Sequence, residues 1–257
     1  MIDSRETDRM KEENGKKPEA TAANAGVRIN KYLSEAGICS RREADRLVEE
    51  GKVTINGAVA KTGDRVMPGA KVVVAGQRAV KEQEDILLAC YKPKGIECTS
   101  DRSNPDNIID FLHYGKRIYT IGRLDKNSSG LILLTNNGDL AYRIAKAGER
   151  HEKEYVVAVD KPITEEFLQG MAKGVPMLGK VTAPAKIRRT GETTFDIILI
   201  QGLNRQIRRM CEYFGYRVRY LKRVRVMNIS LGNLARGKYR EVTPEEKREL
   251  YRLLKED

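Results

Sequence analysis

Asp125 is the side chain whose setting in this sequence most favours chemistry. It lies in the stretch GRLDKNSSGLILLTNNGD, two residues after Arg123. A carboxylate on irregular backbone just ahead of a rigid strand is a common arrangement for a reactive group. There it can act as a nucleophile or stabilise charge. The structural alternative is an Asx-turn, or an ion pair between Asp125 and Arg123, that only shapes the loop.

Two further motifs hold side chains in unusual settings. Tyr155 lies at the start of an alternating apolar stretch in HEKEYVV, where a tyrosine is also simply a good strand former that packs on a core. Arg205, Arg208 and Arg209 fall within five residues of GLNRQIRRM, and helical spacing sends them to more than one face. Arginines packed around an ordinary core helix without partners would be costly, which favours a functional role.

The elements that position these side chains can be predicted from apolar periodicity and turn residues. Around Asp125 we predict a strand at 118–121, a loop at 126–130, a buried strand at 131–135, and a helix at 140–147 that Asp139 caps and Gly148 ends. Elsewhere in 84–257 we predict strands at 86–91, 154–159, 195–200 and 216–230, and helices at 108–112, 165–173 and 204–213, with a last helix from Pro244. Thr164 and Thr243 are the predicted caps.

The amino-terminal third divides into a tail and a small unit. Residues 1–26 are polar without an apolar period and are predicted to be disordered. A helix over 29–36 ends at Gly37, and the capping box of Ser40 and Glu43 starts a second helix that ends at Gly51. Strands follow at 53–55, 58–60 and 71–74, with an Asn-Gly hairpin turn between the first two, and the polar residues 76–85 form a linker.

Basic residues concentrate in two segments. Residues 27–83 carry 11 basic and 7 acidic side chains, and residues 201–257 carry 15 and 7. Arg41 and Arg42 begin the second helix, against the helix dipole, and Arg28 and Lys31 lie near the start of the first. An external phosphate explains this placement better than helix stability does, so we predict a polyanion-binding face. The alternative is an ordinary basic surface.

Composition narrows the class of protein. No apolar run approaches membrane-spanning length, and the amino terminus lacks a signal-peptide pattern. The four cysteines and two histidines have no zinc-site spacing, so we expect reduced cysteines, no metal and a cytoplasmic location. P-loop and dinucleotide fingerprints are absent from the sequence, so we expect no cofactor.

The three motifs occur in order behind the segment 27–66, and together they closely resemble the RsuA-type family of ribosomal RNA pseudouridine synthases with an amino-terminal S4 domain. The second and third motifs look most like the RluF-type branch, which acts on large-subunit (23S) RNA. The resemblance implies an α+β protein with an S4 RNA-binding module at 27–83. It also implies a larger catalytic domain at 84–257, built on a mixed or antiparallel sheet flanked by helices.

The resemblance also implies the reaction and its residues. The N1–C1′ bond of a flipped-out uridine breaks and the base rejoins through C5, with no cofactor. Asp125 is then the catalytic carboxylate, Tyr155 contacts the base and takes part in proton transfer, and Arg208 pairs with Asp125. Attack at C6, attack at C1′ and a glycal route all stay open. The residues expected to contact RNA are Arg123, Asn204, Arg205, Ile207, Arg209, Arg28, Lys31, Arg41 and Arg42, of which Asn204 and Arg205 depart from the usual motif.

The expected partner is large-subunit ribosomal RNA, and the protein is expected to be a monomer away from membranes. Transfer RNA, small-subunit RNA and a pre-ribosomal particle stay open as partners. The competing hypothesis is a non-catalytic RNA-binding or ribosome-assembly factor. That hypothesis explains the basic charge but not the joint presence of Asp125, Tyr155 and Arg208.

Overall fold

The computed structural model of the protein describes residues 26–80, 84–146 and 151–255. The chain divides into two compact units, residues 1–81 and 82–257. Apart from Gly26, the predicted tail lies outside the described residues, as does the predicted helix end at Gly148.

The amino-terminal unit is built from two short helices and two small sheets. Its elements are β1 (Val27–Arg28), α1 (Ile29–Glu35), α2 (Arg41–Glu49), β2 (Val53–Ile55), β3 (Ala58–Val59), β4 (Arg65–Val66), β5 (Val72–Val74) and β6 (Gln77–Ala79). Strand β1 pairs with β4, and the larger sheet has the order β3-β2-β5-β6. Ile29 and Leu33 of α1 and Ala44 and Val48 of α2 are buried in one core, as their helical spacing predicts.

Local chemistry explains where these elements begin and turn. Ser40 Oγ accepts a hydrogen bond from Glu43 N at 3.1 Å, which caps α2 as predicted. Asn56 (φ 51°) and Gly57 (φ 88°) supply the two positive φ angles that a tight hairpin between β2 and β3 requires.

The predicted linker at 76–85 is wrong in its first part. Gln77–Ala79 forms β6, the edge strand that pairs with β5. Ala79 is buried in the unit's core, and its carbonyl accepts a hydrogen bond from Tyr32 Oη at 3.2 Å. One buried alanine between polar residues gives no periodicity, so the pattern resembled a linker.

The larger unit is a nine-stranded sheet with helices. Its strands are β7 (Leu87–Lys92), β8 (Tyr119–Ile121), β9 (Ser129–Thr135), β10 (Lys153–Val159), β11 (Pro176–Met177), β12 (Lys180–Val181), β13 (Lys186–Arg189), β14 (Thr194–Leu199), β15 (Val218–Val226), β16 (Ile229–Ser230) and β17 (Tyr239–Glu241). Its helices are α3 (Ile108–Leu112), α4 (Gly138–Ala145), α5 (Glu165–Lys173), α6 (Gln206–Tyr213) and α7 (Pro244–Leu253). The main sheet has the order β13-β14-β10-β15-β9-β7-β17, with β16 on β15 and β8 on β9, while β11 and β12 form a separate hairpin.

Helices pack on both faces of this sheet. One core contains buried residues of α5 and α6, and the other contains buried residues of α4 and α7. Strands β7 and β9 contribute alternate residues to the two cores, so both of their faces are buried. This double burial explains their nearly continuous apolar sequences. Helices flanking a mixed sheet confirm the predicted α+β class.

Gly130 lets β9 lie beside β15. The two strands pair in parallel through Ser129↔Lys222 and Gly130↔Arg223, whereas the other strand pairs of the main sheet are antiparallel. Gly130 has φ +114°, and a Cβ there would lie 2.2 Å from Arg223 O. The prediction of a loop through residue 130 is therefore wrong, because the glycine permits a close strand pair and does not form a turn.

Two helix starts also differ from prediction. The cap of α4 is Asn137, whose Oδ1 accepts from Asp139 N at 3.1 Å and Leu140 N at 3.0 Å, so Asp139 lies in the first turn. Helix α6 begins at Gln206, two residues later than predicted, because Arg205 has a left-handed backbone (φ 50°). The predicted caps Thr164 and Thr243 are confirmed, the latter with a full capping box.

Candidate active site

A cavity of about 400 Å³ lies in the larger unit where the loop after β8, strands β10 and β15, and the start of α6 meet. This volume is in the range of small-molecule pockets. The structure brings Asp125, Tyr155 and Arg208 together in its wall. Arg123, Arg205 and Ile207, which were expected to contact RNA, also line it.

Asp125 is held on a short turn and faces Arg208. Ser128 N donates to Asp125 O at 3.0 Å, and the Asp125 side chain stays 34% exposed. Arg208 Nε lies 4.0 Å from Asp125 Oδ2, while its Nη2 donates to Asn127 O at 3.1 Å and Ser128 Oγ at 3.2 Å. Arg208 therefore holds the loop as well as facing the carboxylate. Arg123 forms its ion pair with Glu97, at 3.9 Å.

Burial is the main influence on the pKa of the Arg208 guanidinium. It lowers the pKa of the Arg208 guanidinium, the nearby Arg205 adds to this effect, and Asp125 opposes it. A cation that is partly removed from water gains most from a nearby carboxylate. The two side chains are therefore electrostatic partners across the edge of the cavity.

A buried lysine supports the Asp125 loop from below. The Lys92 ammonium is fully buried and donates to Pro93 O at 2.9 Å, Ile96 O at 2.6 Å and Lys126 O at 3.4 Å. It thereby ties the turn after β7 to the residue that follows Asp125. Burial lowers the pKa of Lys92, and Cys98 and Asp125 oppose that effect. The strand predicted at 86–91 stops one residue before Lys92, so nothing in the sequence indicates that this lysine is buried.

Tyr155 contributes to both the core and the cavity. Its side chain is buried in the core that α5 and α6 cover, and it lies opposite Ile197 on β14 and Arg223 on β15. Because Tyr155 also lines the cavity, the packing role and the functional role are compatible.

Three basic residues of the cavity wall, Lys146, Lys153 and Arg223, were not predicted as site residues. Arg223 is only 3% exposed; its Nε donates to Leu131 O at 2.7 Å, and its buried Nη2 has no hydrogen-bond partner among the described residues. Lys153 Nζ donates to His151 O at 3.1 Å. Burial, with a contribution from Arg223, lowers the pKa of Lys153 to about 8. Lys153 directly precedes the strand predicted at 154–159, and Arg223 is one of several basic residues in the strand predicted at 216–230.

Other basic residues lie elsewhere. Arg209 Nη2 bonds to Asn204 Oδ1 at 3.2 Å, and neither residue is part of the cavity wall. Arg225 pairs with Glu152 at 3.0 Å and Glu154 at 2.8 Å. In the amino-terminal unit, Arg28, Arg41 and Arg42 are exposed, and Lys31 pairs with Glu35 at 3.5 Å.

Metal-binding clusters and membrane-spanning helices are not found among the described residues. These residues contain no cluster of three or more His, Cys, Asp or Glu side chains that could hold a metal ion. None of their helices is long and apolar enough to span a bilayer. The four cysteines are reduced and buried in the cores, as predicted.

Comparison with known proteins identifies the family. Residues 86–213 match the RNA pseudouridylate synthase family, and residues 27–72 match the S4 domain. The dual-specificity RNA pseudouridine synthase RluF of Escherichia coli K12 is 54% identical over 233 residues, which cover 90% of this chain and 80% of that protein. The chain belongs to the RNA pseudouridylate synthase family. This confirms the resemblance seen in the sequence motifs.

A more distant relative and a solved structure agree. The ribosomal large subunit pseudouridine synthase B of Bacillus subtilis is 35% identical over 232 residues, covering 87% of this chain and 95% of that protein. A crystal structure described as a pseudouridylate synthase superposes with a TM-score of 0.63 at 26% identity, over 89% of this chain and all of that one. The protein is thus an RNA pseudouridine synthase, an isomerase, with an S4 RNA-binding domain.

Proposed function

We propose that this synthase isomerises a specific uridine in large-subunit (23S) ribosomal RNA, with Asp125 as its catalytic carboxylate. The observation that supports this role is the composition of the cavity. Asp125 is the one acid among the described residues of the wall, and six basic side chains accompany it, namely Arg123, Lys146, Lys153, Arg205, Arg208 and Arg223. A single carboxylate in a cationic pocket suits a nucleotide whose phosphates need neutralising and whose sugar needs one anionic group.

The proposed roles follow from position. The target uridine is flipped out of its RNA and enters the cavity, at a cost of a few kcal/mol of unstacking. Asp125 acts at the sugar or base as nucleophile or charge stabiliser. Arg208 orients Asp125, and Tyr155 lies against the base and takes part in proton transfer. Arg123, Arg205 and Ile207 contact RNA at the cavity, while Asn204 and Arg209 contact it outside.

The proposed substrate rests on the relatives. The names of the similar proteins refer to the ribosomal large subunit in one case and to dual specificity in the other. We therefore propose large-subunit RNA first, free or in a pre-ribosomal particle, and transfer RNA as a second substrate. We also propose an S4 domain at 27–83 that contacts RNA phosphates through Arg28, Lys31, Arg41 and Arg42. A catalytic domain at 84–257 and a cytoplasmic monomer complete the proposal.

The experiment is pseudouridine mapping, by chemical labelling and primer extension, in ribosomal and transfer RNA from cells lacking the gene and complemented with wild type, Asp125→Asn or Asp101→Asn. Asp101 is an exposed loop aspartate that bonds to Ser103 and serves as the matched control. We expect one or more sites to vanish on deletion and to return with wild type and Asp101→Asn only. With purified protein, Asp125→Asn should lower the rate by at least about 10³-fold. Restoration by Asp125→Asn would show that Asp125 is not the catalytic carboxylate.

A further inference from the structure

Arg223 is a buried cation that lines the cavity, and its buried Nη2 has no hydrogen-bond partner among the described residues. Among the described residues, Arg223 forms no ion pair with a carboxylate. Its one hydrogen bond to these residues runs from Nε to Leu131 O. Burying a charged group without a pair is costly, and so is leaving a buried donor unbonded. Because Arg223 also lines the cavity, we expect an oxygen of a molecule bound there to supply the acceptor that its guanidinium lacks.

Lys153 stands next to Arg223 in the same wall. Lys153 lies on β10, two residues before Tyr155. Tyr155 pairs with Arg223 on the neighbouring strand β15. Both side chains line the same cavity. The positive charge of Arg223 accordingly contributes to the lowered pKa of Lys153. Two like charges held together in a partly buried place are destabilising unless an anion or strong acceptor joins them.

We propose that Arg223 and Lys153 form a subsite for the carbonyl oxygens of the target uracil, which stabilises the negative charge that gathers on the ring during isomerisation. This inference rests on the proposed function of the cavity. The base is the better occupant than a phosphate because Arg223 is 97% buried, whereas phosphates stay near the surface when a nucleotide is flipped into a pocket.

The chemistry requires such a subsite in each possible route. When the N1–C1′ bond breaks, its electron pair stays on uracil and the charge spreads over N1, O2 and O4. If Asp125 adds first to C6, the same carbonyl system receives the electron pair. C5 then donates an electron pair to C1′, C5 loses its proton, and N1 gains one. Any bond that Asp125 has formed breaks in the same sequence, the bond to C1′ when C5 attacks there or the bond to C6 when C5 loses its proton, so the carboxylate is regenerated. Donors placed in advance where charge develops are worth most in a pocket that excludes water.

The subsite also bears on which base is accepted. Arginine carries donors only, so Nη2 can bond to a carbonyl oxygen but not to an amino group. Uracil presents O4 where cytosine presents an N4 amine, and a buried polar group left unpaired by the wrong base is strongly disfavoured. If O4 is the oxygen that Nη2 contacts, Arg223 discriminates against cytosine as well as assisting the reaction.

The test compares wild type with Arg223→Gln, Lys153→Gln and Arg188→Gln. Two quantities are measured for each protein: the single-turnover rate of tritium release from 23S ribosomal RNA transcribed with [5-³H]uridine, and the Kd of the same RNA by filter binding. Arg188 lies on the edge strand β13, is exposed and pairs with Asp196, so it is the matched control. We expect Arg223→Gln to lower the rate at saturating RNA by about 10²–10³-fold. We also expect a smaller rate loss for Lys153→Gln, with the RNA Kd within a factor of about three of wild type for both. An unchanged rate, or a loss confined to Kd, overturns the proposal, and the latter result would assign the pair to a phosphate.

A second arm tests the subsite without altering the protein. Synthetic RNA carrying 2-thiouridine or 4-thiouridine at the mapped position offers sulfur, a weaker acceptor, in place of one carbonyl oxygen. We expect one of the two to slow wild type at least about tenfold, the cost of one ordinary hydrogen bond. The Arg223→Gln variant should not respond. If neither substitution slows the wild-type enzyme, the proposal fails. This outcome needs only the wild-type protein, so it holds even if Arg223→Gln does not fold. If Asp125→Asn is inactive while Arg223→Gln is fully active, only this inference fails and the proposed function stands.

Discussion

Among individual residues, Lys153 links the electrostatics of the site to its pH dependence. The Lys153 ammonium is partly buried and neighbours Arg223 on β15. Tyr155, on the same strand as Lys153, lines the cavity together with Asp125 and Arg208. The pKa of about 8 means that Lys153 is charged at neutral pH and loses its proton just above it. Its contribution to a carbonyl subsite is therefore present only below that pH.

We predict opposite effects of pH on rate and stability. The rate should fall as pH rises through about 8, because the proposed donor loses its charge. The free energy of unfolding should rise over the same range. In this range Lys153 still carries its proton in the unfolded chain but has released it in the folded protein, so rising pH favours the folded state. Single-turnover rates and urea unfolding measured between pH 6.5 and about 9.5 test both directions.

Lys153→Arg is the matched variant for this prediction, since arginine stays charged throughout the range. We expect the falling limb of the rate profile to disappear in Lys153→Arg. A limb that persists at the same pH would assign the titration to another group.

The residue types of the site were predictable, whereas the full wall was not. Asp125, Tyr155 and Arg208 occur in motifs and the structure places them in one cavity. Arg223 could not be found from the sequence because β15 is basic on both faces. Only the pairing register, which includes irregularities after Glu154 and after Ala158 of β10, decides which cations point inward. Lys92 could not be found either, because a lysine just beyond the end of a predicted strand is normally exposed.

At the level of elements, the parallel contact between β9 and β15 places Arg223 beside the Asp125 loop. We predict that Gly130→Ala lowers the free energy of unfolding by more than about 3 kcal/mol, because the new Cβ would lie 2.2 Å from the Arg223 carbonyl oxygen and the φ of +114° disfavours a side chain. Urea unfolding of the purified full chain measures this change.

Gly122→Ala is the control for Gly130→Ala. Gly122 also has a positive φ (+66°), but an added Cβ would meet no atom within 4 Å. Its cost should therefore be only that of the left-handed backbone, about 1–2 kcal/mol. Equal losses in the two variants would show that the close approach of the strands does not matter.

Most elements could be predicted because their patterns are local. The capped helices α5 and α7 and the apolar strands β7 and β9 match their predictions to within two residues. The misses have non-local causes. Ser129 and Gly130 are strand residues only because β15 lies beside them, and β6 exists only because β5 offers a free edge.

For the whole molecule, basic charge is divided between two units with different expected tasks. Arg41 and Arg42 are exposed at the start of α2 in the S4 domain, and the proposed catalytic groups lie in the other unit. Contacts to phosphates set affinity and salt dependence without acting on the reacting base.

We predict that Arg41→Gln combined with Arg42→Gln weakens RNA binding and reduces the slope of log K against log salt by about 1.4–1.8. The rate at saturating RNA should not change. Arg46→Gln is the control, since Arg46 lies on the same helix but pairs with Glu43 at 3.2 Å. Filter binding at several salt concentrations gives the slopes, and a slope equal to that of wild type would exclude Arg41 and Arg42 as phosphate contacts.

The hydrogen bond from Arg223 to Leu131 joins residues 92 positions apart in the chain. Closing so long a loop is entropically unfavourable, and contacts of this kind form late in folding. On a ribosome synthesising this protein, the segment around Asp125 emerges well before β15 exists. The enzyme consequently has no complete cavity while it is a nascent chain, and its own synthesis delays its chemistry until the strand that closes the site has been made.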